Sequence, residues 1–244
     1  MAMQVNVFRG AAGWGALLAL MLAVSAGAQP RPPEPRGFGA GQKMGKQFAA
    51  PEGDGKSPGA NKASFKLEGE FRVISANGLP DHAPGQFPNR GNPNVIAAQK
   101  YSFRVPLQPQ TNAQFTPMRM HPFGVALNGV VFDPNTAEFW NNDPRSGWMI
   151  EALSGAVPLG FDRNNAHVQP DGSYHYHGIP VGLVEKLGGR SGAVQVGWAA
   201  DGFPIYVDPA ARPSWRLKTA RDPGGPSGRP DGTYARDSEF AEGL

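Results

Sequence analysis

Cysteine is absent from the 244 residues, which excludes a disulfide scaffold, a thiolate metal site, a cysteine nucleophile and CxxCH haem attachment. Apolar residues other than glycine make up 40% of the chain. The 33 glycines and 25 prolines exceed their usual share, so the composition reads as a loop-rich domain with non-globular sequence attached. Several signatures of common catalytic machineries are missing too. No HExxH helix, Walker loop or GxGxxG turn occurs, and the aspartate-containing turns lack EF-hand spacing.

Charge of one sign is also missing from the part that folds. The chain carries a formal +3, but residues 1–28 hold +1, residues 29–66 hold +4 and residues 67–244 hold −2. The pI of 9.3 therefore belongs to the front of the chain. A mildly acidic body without a basic stripe speaks against a nucleic-acid partner. No apolar run is long enough for a comfortable membrane span either. The longest, AAGWGALLALMLAVSA, follows Arg9 and closes on Ala26-Gly27-Ala28, a small-x-small cleavage pattern. Residues 1–28 thus read as a signal peptide cleaved before Gln29, with an uncleaved anchor as the alternative. The expected location is periplasmic or secreted, with no stable membrane span after cleavage.

Residues 29–63 are Pro/Gly-rich and basic, and bury too little apolar surface to offset the entropy of ordering, so they read as a disordered tether. Residues 64–244 read as one mainly β domain, a sandwich or irregular barrel with long loops and one or two short helices. Phe65, Leu67, Phe71 and Val73 suggest a strand ending at Asn77-Gly78, and Tyr101–Val105 a strand closed by Pro106. Phe123–Phe132 reads as two short strands around an Asn128-Gly129 turn. Further strands are expected at Gly147–Leu153, Ala193–Trp198 and Phe203–Tyr206. Val181–Leu187, after Pro180 and before Gly188-Gly189, is the one convincing helix, with Leu183, Val184 and Leu187 on one face.

Histidine is scarce but concentrated. Of five, His167, His175 and His177 fall within eleven residues, and the others are His82 and His121. His175 and His177 share a strand face at i, i+2. Gln169-Pro170-Asp171-Gly172 suits a turn with glycine in the left-handed place, which predicts a three-residue hairpin loop at Pro170–Gly172. That loop sets His167 opposite His175, with Cβ atoms ~4.5–5.5 Å apart and the diagonal to His177 about 7–8 Å. A two-residue loop at Asp171-Gly172 sets His167 opposite Tyr176 instead, on the other face. In the first register three imidazoles converge, a set that suits Zn²⁺, Cu²⁺ or Ni²⁺. Met118 and Met120 flank Arg119 just before His121 without offering a clear thioether ligand. The bland alternative leaves His175 and His177 as exposed polar strand residues over an inward Tyr174 and Tyr176.

Around Tyr174-His175-Tyr176-His177 stand, in order, Asn77-Gly-Leu-Pro-Asp-His-Ala-Pro-Gly-Gln-Phe-Pro88, Gly91-Asn-Pro-Asn94, Ala126-Leu-Asn-Gly129 and, beyond it, Ala200-Asp-Gly-Phe-Pro-Ile-Tyr206. In that combination residues 71–240 resemble the YHYH-domain family of largely exported proteins. The resemblance implies export and a single domain but assigns no reaction. It further implies continuation beyond a segment like Asp231–Phe240 into a cysteine-containing stretch and a second Tyr-His-Tyr element. The chain stops at Leu244, either as a shortened form or a truncated one, and a last strand without its partner would expose an edge. Within the resemblance His82, on a loop shaped by Gly and Pro, is the best candidate for a fourth ligand. His121 is held extended by Pro122, and Asp201 reads as part of an Asp-Gly turn, with a supporting or basic role as the alternative. Trp140, Trp148, Trp198 and Trp215 read as core or loop anchors.

Three functional classes follow: an exported protein binding a copper or zinc ion through His167, His175, His177 and His82; a metal-dependent hydrolase or oxidase assisted by Asp201 or Asp171; and a structural or adhesive envelope module without metal.

Overall fold

The alternation at the front of the domain folds as a hairpin, where the sequence suggested one strand. Ala63–Glu68 (β1) and Phe71–Ala76 (β2) pair antiparallel, with Phe65 opposite Ile74 and Glu68 opposite Phe71. Gly69, at φ +58°, takes the first central place of the two-residue turn, a backbone state open to glycine that suits the strand twist. The structure is a computed structural model describing residues 54–114, 120–189, 192–212 and 214–241. The expected leader, the expected tether up to residue 53, Met118 and Arg119 lie outside the described residues. Ahead of residue 64 the chain is already tied to the domain. Gly55 N–H donates to the Pro84 carbonyl, and Asn61 Nδ2 donates to the carbonyls of Leu79 and Asn128.

Tyr101–Pro106 (β3) completes a three-stranded sheet of order β1-β2-β3. A second sheet collects Gly124–Ala126 (β4), Val131–Phe132 (β5), Ala166–Val168 (β6), Tyr174–Tyr176 (β7), Val194–Ala199 (β8) and Pro204–Val207 (β9). Its order is β6-β7-β5-β4-β8-β9, and every neighbour is antiparallel except β5 with β7, which run parallel. Both sheets are open, and the molecule is mainly β with long loops. Val181–Lys186 forms the single α-helix among the described residues (α1). It buries Leu183 and Val184 as expected, but Leu187 lies past its end and stays 39% exposed. Gly147–Leu153 is not a strand. It makes isolated bridges at Met149 and Ile150 and then a 3-10 turn at Ala152–Ser154. Trp215–Leu217 (β10) pairs antiparallel with Ser238–Phe240 (β11), and bidentate contacts of Arg221 with the fully buried Asp237, at 2.7 and 2.9 Å, hold the connection.

Strand alternation divides the six-stranded sheet into two faces. On one, Ala126, Phe132, Ala166, Val168, Tyr174, Tyr176 and Val196 join Leu183 and Val184 of α1 in the main core. Each fully buried large side chain there contributes about 1.5–3 kcal/mol. The opposite face is covered in two parts. Val125 and Trp198 pack on Ile74, Phe103 and Val105 of the three-stranded sheet, and the Arg72 guanidinium lies 3.4 Å over the Trp198 ring. Over β5, β7 and β6 the same face presents Val131, His175 and His167, and there the loops beyond β5 close it.

Candidate metal centre

The β6–β7 hairpin adopts the three-residue loop. His167 is paired with His175 and Val168 with Tyr174, while Gln169 N–H donates to the Ser173 carbonyl and Gly172 N–H to that of Gln169. Gly172 sits at φ +85°, and its carbonyl accepts from Ala97 N–H. A Cβ there would meet that of Ala97 at 2.5 Å, so both backbone state and space require glycine. Asp171 caps the turn, its Oδ1 accepting from the Ser173 N–H and hydroxyl at 2.9 and 2.6 Å. With this register fixed, the alternation that sends Ala166 and Val168 into the core sends His167 to the face of His175 and His177.

The three imidazoles meet at Nε2. His177 Nε2 lies 2.8 Å from that of His175 and 3.1 Å from that of His167, and all three ligand atoms fall within 4.8 Å of one another. Their other nitrogens turn outward. His167 Nδ1 reaches the Leu159 carbonyl at 2.8 Å and His175 Nδ1 the Ser173 carbonyl at 3.3 Å. Carbonyls only accept, so those partners assign the protons to Nδ1 and leave the Nε2 lone pairs facing inward. His177 differs: its Nδ1 is buried without a regular hydrogen bond, on the side of the Pro134 carbonyl. Only His177 can therefore carry its proton on Nε2, shared between two neighbours. An ion in place of that proton satisfies all three lone pairs at once. A tetrahedral ion with bonds of ~2.0–2.1 Å needs nitrogens about 3.3 Å apart, close to the 2.8 and 3.1 Å that separate His177 Nε2 from its two neighbours. The donor set fits a metal.

Burial keeps the cluster neutral. His175 is 1% exposed and His177 8%. Desolvation, then repulsion from His167, lowers the His175 imidazole to about 4. Desolvation and both neighbouring rings hold His177 well below the usual histidine range, and burial lowers His167. Phe161 covers the site, its ring 4.6 Å from that of His167 and 4.8 Å from that of His177. Neutral imidazoles need no deprotonation before they ligate.

The tyrosines of the motif point the other way, into a polar network inside the main core. Tyr174 donates to Asp162 Oδ2 at 2.6 Å, and Tyr176 Oη lies 2.6 Å from His82 Nε2. His82 Nδ1 faces the Ala83 carbonyl, so the Tyr176 hydroxyl donates to Nε2. Asn128 Nδ2 donates both to Tyr176 Oη and to Asp81, which pairs with Lys186 at 2.7 Å. Burial raises both tyrosines well above their ordinary range, which keeps them hydroxyl donors. The structure does not bring His82, expected as a fourth ligand, into the three-histidine group. The structure sets it against Tyr176, behind the strand whose front carries His175 and His177, with both ring nitrogens engaged. Close packing holds it there, since a Cβ on Gly182 would meet the His82 ring at 2.7 Å.

His121 is exposed, and its backbone carbonyl accepts from Asn135 Nδ2. Asp201 sits in the turn between β8 and β9, where Gly202 N–H donates to the Ala199 carbonyl. Sequence reasoning missed Phe161, Leu159 and Asp133. The first two are brought in by loop packing that leaves no periodic signal, and Asp133 by a strand pairing discussed below. Among the described residues no helix is long and apolar enough to cross a membrane. No curated protein and no solved structure matches the chain. A family model described as YHYH protein matches residues 102–244, well over half the sequence, and takes in the hairpin, both tyrosines and all three clustered histidines, but not His82. The chain belongs to the YHYH protein family.

Proposed function

We propose that this protein is an exported metal-binding protein that holds one divalent transition ion, copper or zinc, at Nε2 of His167, His175 and His177. The observation that carries the reading is the convergence of three Nε2 atoms, two of which, on His167 and His175, have their lone pairs turned inward by carbonyl partners at Nδ1. A surface cluster of polar histidines has no reason to be buried, neutral and held by its far nitrogens. An all-imidazole set suits Zn²⁺ and Cu²⁺ alike. Export is supported by the apolar leader with its small-x-small end and the basic tether behind it. Binding is favoured over turnover because Asp171 is occupied by Ser173 and Asp201 by its turn. Calorimetric titration of the natively purified chain with Zn²⁺ and with Cu²⁺ tests the reading. One ion per chain, lost in His175→Ala and His177→Ala, supports it. No heat and no shift in melting temperature with either ion overturns it.

A further inference from the structure

Four carboxylates act electrostatically on the clustered rings: Asp133 on His167 and His175, Glu138 and Asp162 on His167, and Asp171 on His175. Two of them are engaged elsewhere. Asp162 accepts from the Tyr174 hydroxyl and the Gly85 N–H on the far side of the sheet, and Asp171 holds its turn. Glu138 stands on the loop after β5 and acts on His167 alone.

Asp133 is placed by the sheet itself. In the parallel pair, Val131 stands beside His175 and Phe132 beside Tyr176, and the Asp133 N–H extends the ladder to the Tyr176 carbonyl at 2.9 Å. That bond closes the Phe132–Tyr176 pair and places Asp133 directly after it, at the end of β5. Alternation gives Phe132 the tyrosine face, where its ring lies 5.5 Å from that of Tyr176, and gives Val131 and Asp133 the histidine face. The carboxylate is fixed at one end, since Asn135 donates to Oδ1 from its N–H at 3.2 Å and from Nδ2 at 2.9 Å. Oδ2 has no hydrogen-bond partner among the described residues. Asp133 stands outside the three-nitrogen group, so it acts on an ion through its charge.

We propose that Asp133 is the charge-selecting residue of the centre, a carboxylate outside the ligand set that favours a divalent over a monovalent ion. The inference rests on the metal-binding reading above. Three neutral imidazoles bring no charge against the ion, and Asp133 brings one in half-buried surroundings where water screens weakly. Coulomb energy is proportional to the charge of the ion. Removing the carboxylate charge therefore costs a dication twice the free energy it costs a monocation. In affinity, the loss for the monovalent ion is the square root of the loss for the divalent one.

The test is a competition titration of the full chain with Zn²⁺ and, anaerobically, with Cu⁺, for the wild type and Asp133→Asn. The expected loss is about 10–100-fold for Zn²⁺ and about 3–10-fold for Cu⁺. Equal fold losses for the two ions mean a structural role and overturn the proposal, as does unchanged Zn²⁺ affinity in the variant. A wild type that binds neither ion overturns the metal-binding reading instead, which separates the two failures. Should Asp133→Asn not fold, Asp133→Ser removes the same charge while its hydroxyl still accepts from Asn135, and the same unequal losses are required of it.

Discussion

His175 and Tyr176 are neighbours in the chain and occupy opposite faces of one strand. The histidine meets two others through Nε2, and the tyrosine ties the back of the strand to His82 and Asn128. This division makes separable predictions. Tyr176→Phe leaves His82 Nε2 and Asn128 Nδ2 short of a buried partner and is expected to cost about 1–3 kcal/mol of stability. Denaturant unfolding with metal analysis checks it, and the variant should keep its metal stoichiometry. The convergence of His167 with His175 and His177 was legible because Pro170 selects the loop length, and loop length fixes which face His167 takes. The place of His82 was not legible. Nothing in its local sequence says that it packs behind β7, and only the long-range contact with Tyr176 shows that its nitrogens are in use.

At the scale of elements, the centre depends on the register of one hairpin. Deleting Gln169 with the Pro170–Gly172 loop kept pairs Val168 with Ser173 and slips β6 by one, which sets His167 opposite Tyr174 and carries its imidazole to the other face. The expected outcome is metal affinity reduced at least ~10-fold, with His175 and His177 still present. Titration of the deletion beside His167→Ala checks this, as the two should weaken binding alike. Hairpins and strands announced by local turn chemistry were readable, including the Asn128-Gly129 turn, β3 ended by Pro106, and the helix after Pro180. The parallel pairing of β5 with β7 was not, because it joins segments more than forty residues apart with no turn between them. Asp133 was missed for that reason alone. The front strand was misread as continuous because Glu68-Gly69-Glu70 carries the same polar character as the exposed positions of β1 on either side of the turn.

For the molecule as a whole, the missing cysteines leave histidine as the main soft-metal ligand, and the fold brings three of the five together and buries His175 and His177. That burial has a pH signature. His175 has a folded value of about 4, below the ~6.5 of an unfolded histidine. The unfolded chain then binds the proton first as pH falls, so stability is full above about 6.5 and declines towards about 4, by on the order of 3 kcal/mol for this residue. His167 and His177 shift in the same direction. The metal-free protein is expected to melt progressively earlier below pH 6.5, and His175→Gln should flatten that slope in a pH series of thermal melts. Bound metal adds to the acid sensitivity, because protons compete for the same nitrogens.

The central claim is that His167, His175 and His177 hold an ion together. The most direct measurement is the metal content, by elemental analysis, of the chain purified natively without added metal, beside the His175→Ala/His177→Ala double variant. The predicted result is close to one copper or zinc per chain in the wild type and background in the variant. Background metal in both, with no rise in melting temperature on adding Zn²⁺ or Cu²⁺, would contradict it.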